Sequence, residues 1–258
     1  MNLVLPTAKV EASNQNPRKI LLFAHQKTGK TSAVLQLDKC LLVDLENSAE
    51  FYGGLFVNVK KIAQAQKISL FEAFKQVIKA LKEDVAKNGI YYKYIAIDSM
   101  TILEDLAKEL ALVMYKNSEI GKNYKETDIF KLPNGSAELW FRNAAEQLYN
   151  SFEGLYSDCL ILIAHVKSSS ITKNGVDLQV RDVNLRGKFK LLVGAEVDAI
   201  AYMYRNKGEK VNIISFVGDE RDMVTGARPA HLANKEFPIS EILPSGEFVT
   251  YWDRVFLK

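Results

Sequence analysis

At 258 residues and a formal net charge of +3, the chain fits one large α/β domain or a core with a small appendage, and its charge is too small to identify a nucleic-acid partner. A hydrophobic content of 48% with 25% charged residues excludes wholesale disorder. No apolar run reaches the roughly 18 residues needed to span a bilayer, and no basic segment followed by a long apolar stretch marks a signal peptide. Cys40 and Cys159 each sit in an apolar run (KCLLVDL and DCLILIA) without CxxC spacing. That pattern argues for a reducing setting and against a disulfide framework or a zinc site; together with the lack of a spanning run and of a signal peptide, the expectation is a cytoplasmic protein with no membrane partner.

Residues 1–18 are polar and aperiodic and read as a flexible lead-in. The apolar run Lys19 to Ala24 predicts a buried strand, followed by the loop HQKTG and a short helix from Lys30 to about Leu37. Lys39 to Leu45 predicts the second strand. Ser69-x-x-Glu72 is a capping box, after which Leu70, Phe71, Phe74, Val77, Ile78, Leu81 and Val85 recur at helical spacing until Asn88-Gly89. Tyr94 to Asp98 predicts the third strand. Thr101-x-x-Glu104 reads as another capping box, opening a helix through Met114. A polar stretch over 117–135 leads to a helical pattern from Leu139 to Phe152, and Asp158 to Ala164 predicts the fourth strand. Residues 167–188 read as a long polar, flexible segment. Asp198 to Tyr204 and Val211 to Val217 alternate like two antiparallel strands around a turn at 205–210. The last 40 residues are mixed, with a helix expected to place Phe248, Trp252, Val255 and Phe256 on one face.

Strands alternating with helices predict an α/β fold: a mostly parallel twisted sheet with helices on both faces and an antiparallel hairpin near the C-terminus. The expected division is a lead-in over 1–18, a core over 19–218 and an extension packed on that core over 219–258.

Ala24-His25-Gln26-Lys27-Thr28-Gly29-Lys30-Thr31 matches G-x-x-x-x-G-K-[ST] except that alanine holds the first position. An apolar strand before the loop and a helix after it supply the context the motif requires. Gly29 allows a tight turn whose N–H groups cradle phosphate oxygens, and the helix start adds its positive end. The expected nucleotide contacts run from Ala24 through Ser32. Lys30 would reach the β- and γ-phosphates of ATP, and the Thr31 hydroxyl would ligate Mg²⁺. Lys27 is expected in solvent.

A P-loop needs an acid at the C-terminal end of a neighbouring strand to hold Mg²⁺ through water, and Asp98 in YIAIDS occupies such a place. The competing reading, that Asp98 caps the next helix, is set aside because Thr101 is expected to provide that cap. In LLVDLE either Asp44 or Glu46 could orient the attacking water, or both could be ordinary strand-end acids; the residues alone leave this open. His165, after the strand LILIA, could contact a γ-phosphate or be a structural histidine. His25 and His231 are expected at the surface.

Taken together, LLFAHQKTGKT, LLVDLEN, YIAIDS and LILIAHVK resemble the RecA-like ATPases, and are most similar to the compact, core-only ATPases of bacteriophages and mobile elements, known as AAA-domain or recombinase-like proteins. The resemblance covers roughly Lys19 to Val217. It implies ATP and Mg²⁺ as cofactors, Glu46 as the catalytic glutamate, Asp98 as the metal-linked acid and His165 as a polar sensor of the γ-phosphate. It makes Ser168 to Arg186 the counterpart of a mobile DNA-binding loop, and it implies a homo-oligomer. No long N-terminal oligomerisation domain is visible, so assembly is expected through the short N-terminal segment or the core faces.

From 167 to 190 the basic residues Lys167, Lys173, Arg181, Arg186, Lys188 and Lys190 face only Asp177 and Asp182. Charge alone fits a solvated loop as well as a phosphate-tracking one. With the resemblance, the expected partner is single-stranded DNA, in phage-type recombination, annealing or replication. Two other classes stay open: a nucleotide-gated scaffold for other proteins, and a phosphotransferase acting on a small substrate or a protein. Arg181, Arg186, Arg221 and Arg228 are all candidates for a finger acting on a neighbouring subunit's nucleotide.

Overall fold

The structure, a computed structural model, describes residues 7–9, 11–173, 176–206, 208, 211–218 and 225–258, with the side chains of 134, 169, 171–179 and 188 outside that description. In chain order the elements are β1 (Lys19–Ala24), α1 (Lys30–Val34), β2 (Cys40–Asp44), β3 (Leu55–Asn58), α2 (Val59–Gln66), α3 (Leu70–Asn88), β4 (Tyr94–Asp98), α4 (Met100–Lys116), α5 (Ala137–Asn150), β5 (Cys159–Lys173), β6 (Val176–Val183), α6 (Gly187–Glu196), β7 (Ala199–Asn206), β8 (Val211–Ser215), β9 (Gly226–Ala227), β10 (Glu236–Ile242) and β11 (Phe248–Thr250).

The sheet runs β11-β10-β8-β7-β1-β5-β4-β2-β3. From β7 to β3 every neighbouring pair is parallel, and β8, β10 and β11 add antiparallel strands at the other edge. Burial on both faces explains why the central strands are continuous apolar runs rather than alternating ones. Leu21, Phe23, Leu41, Val43, Ile95, Ile97, Leu160 and Leu162 face a core closed by α2 to α6. Ile20, Leu22, Ala24, Leu42, Ala96, Ile161 and Ile163 face the other, closed by α1 and by Leu232, Trp252, Val255 and Phe256. Both cysteines are buried and unpaired, and burial raises both thiols, Cys40 to about 12.

Several local expectations hold. Ser69 caps α3 by accepting the Glu72 N–H at 3.1 Å. Helix α1 is shorter than expected, but 3-10-type bonds from Gln36 to Ala33 and Leu37 to Val34 carry its turns on to Leu37. Four expectations are corrected. The strand at 94–98 is fourth in the chain, because the four-residue edge strand β3, with Leu55 and Phe56 exposed, lacks a buried apolar pattern. Thr101 is not a cap: α4 starts at Met100 with Ser99 at the cap position, and the Thr101 hydroxyl donates to the Asn184 carbonyl at 3.4 Å. Residues 167–188 are not a loop. Strand β5 runs on past the sheet core and pairs antiparallel with β6, from Val166↔Val183 to Lys173↔Val176, before α6 begins. The expected C-terminal helix is β10, β11 and a 3-10 turn over Trp252–Arg254, with Phe248 in a strand.

That C-terminal turn braces the motif helix. The buried Trp252 indole donates to the Ala33 carbonyl at 2.7 Å, satisfying a group near the end of α1, and stacks on Phe256 at 5.9 Å. Trp252→Ala removes both the packing and the donor. We expect a loss of about 3–5 kcal/mol of stability, the usual range for deleting a buried tryptophan, read as a lowered urea midpoint with unchanged slope. Trp252→Phe, which keeps a ring and loses only the donor, should cost about 1 kcal/mol.

Candidate functional site: a phosphate loop ringed by strand-end acids

The parallel register sets the site. Ala24 lies beside His165, Asp98 beside Ile163, and Asp44 beside Asp98, so β1, β5, β4 and β2 end side by side. Ala24 is fully buried and packs into the core beneath the loop, where its methyl is an ordinary core contact. His25, Gln26 and Lys27 form the exposed outer curve. Lys27 (φ 60°) and Gly29 (φ 99°) both take left-handed backbone, and a Cβ on Gly29 would meet Asn212 Nδ2 at 3.2 Å. Thr28 Oγ1 donates to the His25 carbonyl at 2.8 Å, and Ser32 Oγ to the Gly29 carbonyl at 2.9 Å. Among the described residues, the N–H groups of Gln26, Lys27, Thr28 and Gly29 donate to no protein acceptor. A turn of donors left unpaired by the protein has the form that can take an anion.

Lys30 is buried and folds back over this loop, its Nζ donating to the carbonyls of His25 at 3.0 Å and Ala24 at 3.4 Å. Burial lowers its pKa, opposed by the carboxylates of Asp98 and Glu46. Thr31 Oγ1 donates to Asp98 Oδ2 at 2.6 Å, and Ser48 Oγ reaches the same oxygen at 3.2 Å. Burial raises Asp98, Glu46 and Asp44 push the same way, and the Thr31 hydroxyl and Lys30 oppose them. Asp98 is thus a buried acid short of positive charge.

The two acids after β2 separate cleanly. Asp44, fully buried, accepts backbone N–H groups from Glu46 (3.0 Å), Asn47 (2.8 Å), Ser48 (2.8 Å) and Ala49 (2.9 Å). It is consumed in tying the loop that carries Glu46. The Glu46 carboxylate is partly exposed and accepts from the Ser99 hydroxyl and from His165 Nε2, the latter at 2.8 Å. Burial tends to raise Glu46, but those two donors and the nearby Lys30 hold it below the ordinary glutamate value.

Unpaired loop donors, a buried ammonium, a hydroxyl beside a charge-deficient acid and a carboxylate held by one oxygen fit a nucleotide's phosphates with Mg²⁺. Among the described residues no group of three or more His, Cys, Asp or Glu side chains is placed to hold a metal.

The basic segment is less open than its composition implies. Lys167 is exposed. Arg181 lies over the Tyr202 ring at 4.5 Å. Arg186 lies over Phe130 at 3.8 Å and pairs with Glu138 at 3.6 Å, while its N–H donates to Glu104. Lys190 pairs with Asp182 at 2.6 Å. Arg228 is engaged by Asp198 and the Ala195 carbonyl. The side chains of Lys173 and Lys188, and Arg221 as a whole, lie outside the described residues. His25 is exposed, as expected, whereas His231 is half-buried and bonded to the Val255 carbonyl at 3.0 Å. Sequence reasoning assigned no role to Ser48 or Ser99, both in contact with site acids. The serine directly after the strand-end Asp98 was the available signal for the second.

Fold and site together have the arrangement of a P-loop nucleotide-binding domain, with the loop and two strand-end acids at the same end of a parallel sheet. More particularly, the chain belongs to the family described as an AAA domain, whose model matches residues 16–234. The crystal structure of the RadB recombinase aligns over 90% of each chain at 12% identity with a TM-score of 0.40. No curated protein matches the chain. Among the described residues no helix is long and apolar enough to cross a membrane.

Proposed function

We propose that this protein binds ATP with Mg²⁺, hydrolyses it, and couples that cycle to single-stranded DNA, as a homo-oligomeric, phage-type recombination, annealing or replication factor working in the cytoplasm. The observation that carries the reading is the convergence of Lys30, the Thr31–Asp98 pair and the His165-bonded Glu46 at adjacent strand ends.

In this reading the loop from Ala24 to Ser32 wraps the phosphates through its backbone, and Lys30 leaves its two carbonyl partners to meet them. Thr31 and Asp98 hold the Mg²⁺ position. Bound Mg²⁺ supplies charge neutralisation on the phosphate oxygens. Glu46 takes a proton from water as the water oxygen bonds to the γ-phosphorus. The bond from that phosphorus to the bridging oxygen breaks, and its electron pair stays on ADP. His165 links this chemistry to the hairpin, because β5 continues from His165 into the paired segment with β6 and the His165 carbonyl accepts the Asn184 N–H at 2.9 Å.

The test is an ATPase assay with and without single-stranded DNA, beside fluorescence anisotropy of a labelled oligonucleotide over a salt series. DNA-stimulated phosphate release and salt-sensitive binding that tightens with a slow ATP analogue are expected. Changing Lys167 and Lys173 together to alanine should flatten the slope of log affinity against log salt by about 1.4, at about 0.7 for each single-strand phosphate that is no longer neutralised. Arg186 is left intact because it is engaged with Phe130 and Glu138. That engagement of basic side chains within the chain favours one second reading, a nucleotide-gated protein scaffold. ATP hydrolysis without oligonucleotide binding in any nucleotide state would select it.

A further inference from the structure

Ser99 has no place in the chemistry described so far, yet it sits at the centre of the site. It is fully buried, directly follows Asp98, and donates its hydroxyl to Glu46 Oε1. His165 Nε2 bonds the same oxygen at 2.8 Å. An ionised carboxylate only accepts, so the imidazole nitrogen facing it is a donor. His165 Nδ1 is itself buried and has no hydrogen-bond partner among the described residues, so the ring's one polar engagement is Glu46. Both donors therefore converge on Oε1. Among the described residues no hydrogen bond reaches Oε2.

We propose that Ser99 is a positioning residue for hydrolysis: with His165 it pins Glu46 by one oxygen and so presents the other, Oε2, to the attacking water. The assignment rests on the reading of Glu46 as the proton acceptor. A carboxylate on a flexible stem at the end of a loop samples many rotamers, and effective proton transfer requires it to be held at hydrogen-bond reach of the water. Two donors from two different elements, Ser99 at the turn between β4 and α4 and His165 in β5, fix both the torsion and the identity of the outward oxygen. Asp44 holds the backbone of the same loop through four N–H groups, so the stem is anchored at its base and its tip. Ser99, being fully buried, acts only through Glu46.

The experiment measures kcat, KM and the affinity for a fluorescent ATP analogue in Ser99→Ala, Glu46→Gln and the double variant. Ser99→Ala is expected to lower kcat by about tenfold or more, the scale of one hydrogen bond to a charged group, with KM and analogue affinity unchanged. In the Glu46→Gln background the same change should lower the residual rate no further, because the carboxylate it positions is gone. Wild-type kcat in Ser99→Ala overturns the proposal while leaving Glu46 as base intact. An equal fall of kcat in both backgrounds also overturns it, since that marks a general structural role. Normal turnover in Glu46→Gln removes the underlying reading and the proposal with it, whatever Ser99→Ala does. Should Ser99→Ala fail to fold, Ser99→Cys keeps the volume with a much weaker donor and must show the same pattern.

Discussion

Lys30→Ala is expected to bind ATP at least about tenfold more weakly and to turn over at least about a hundredfold more slowly, the scale seen when one preorganised donor to developing charge is removed. The ammonium is buried and, among the described residues, hydrogen-bonds only to two loop carbonyls, so little holds it there except the two nearby carboxylates. A charge so placed is poorly solvated and gains most when phosphate arrives. Alanine also leaves Asp98 and Glu46 without that cation, so a polyanionic ligand meets an uncompensated acidic site. The fold should survive, because the core beneath the loop is made by Ala24, Ala33 and Val34. Equilibrium binding of a fluorescent nucleotide, phosphate release and the urea midpoint measured on one preparation separate these effects. Wild-type turnover in this variant would overturn the site assignment.

Glu46→Gln is expected to keep ATP affinity and lose hydrolysis by about 10² to 10⁴, the usual contribution of a positioned general base. Glutamine retains the shape of the side chain and can still accept from Ser99 and His165 through its carbonyl oxygen. What it lacks is a site for the proton. The pH dependence follows in sign. The Ser99 and His165 donors and the Lys30 charge hold the Glu46 carboxyl below its ordinary value, so the base stays ionised to lower pH than an ordinary glutamate and turnover should be lost on the acid side of the ordinary glutamate midpoint. Single-turnover phosphate release with labelled ATP reads the chemical step directly. If Glu46→Gln hydrolyses normally, another acid must act, and Asp44 is a poor substitute because its carboxylate is already occupied by four backbone donors.

The parts of the fold visible in the sequence are those whose local pattern is dictated by burial. Strands β1, β2, β4 and the core portion of β5 are apolar on both faces, and α3 carries one apolar stripe behind a working Ser69 cap. Other elements lack such a signature. Strand β3 is a short, exposed edge. The hairpin of β5 and β6 leaves the core, so its serine-rich beginning reads as a loop although backbone pairing holds it. The Thr101-x-x-Glu104 box is a pattern without its geometry: α4 begins where β4 ends, which puts Thr101 inside the first turn and turns Glu104 toward the Arg186 N–H. Thr101 therefore gives no ground for denying Asp98 a capping place, while the contact of Asp98 with Thr31 is real.

By itself, the sequence determined that a strand-loop-helix cradle around Gly29, Lys30 and Thr31 lies in a parallel α/β sheet with acids at neighbouring strand ends. Those features follow from short-range spacing: an apolar run, a glycine that accepts left-handed backbone, a lysine and a hydroxyl at set positions. The division of labour between Asp44 and Glu46 was decided only by the tertiary structure. Two acids two residues apart are equivalent on paper. One points into the turn and is spent on backbone N–H groups, and the other meets Ser99 and His165, which lie 53 and 119 residues away in the chain. Which carboxylate is free, and which of its oxygens is held, depends on strand order and register, and these are set by the packing of the whole sheet.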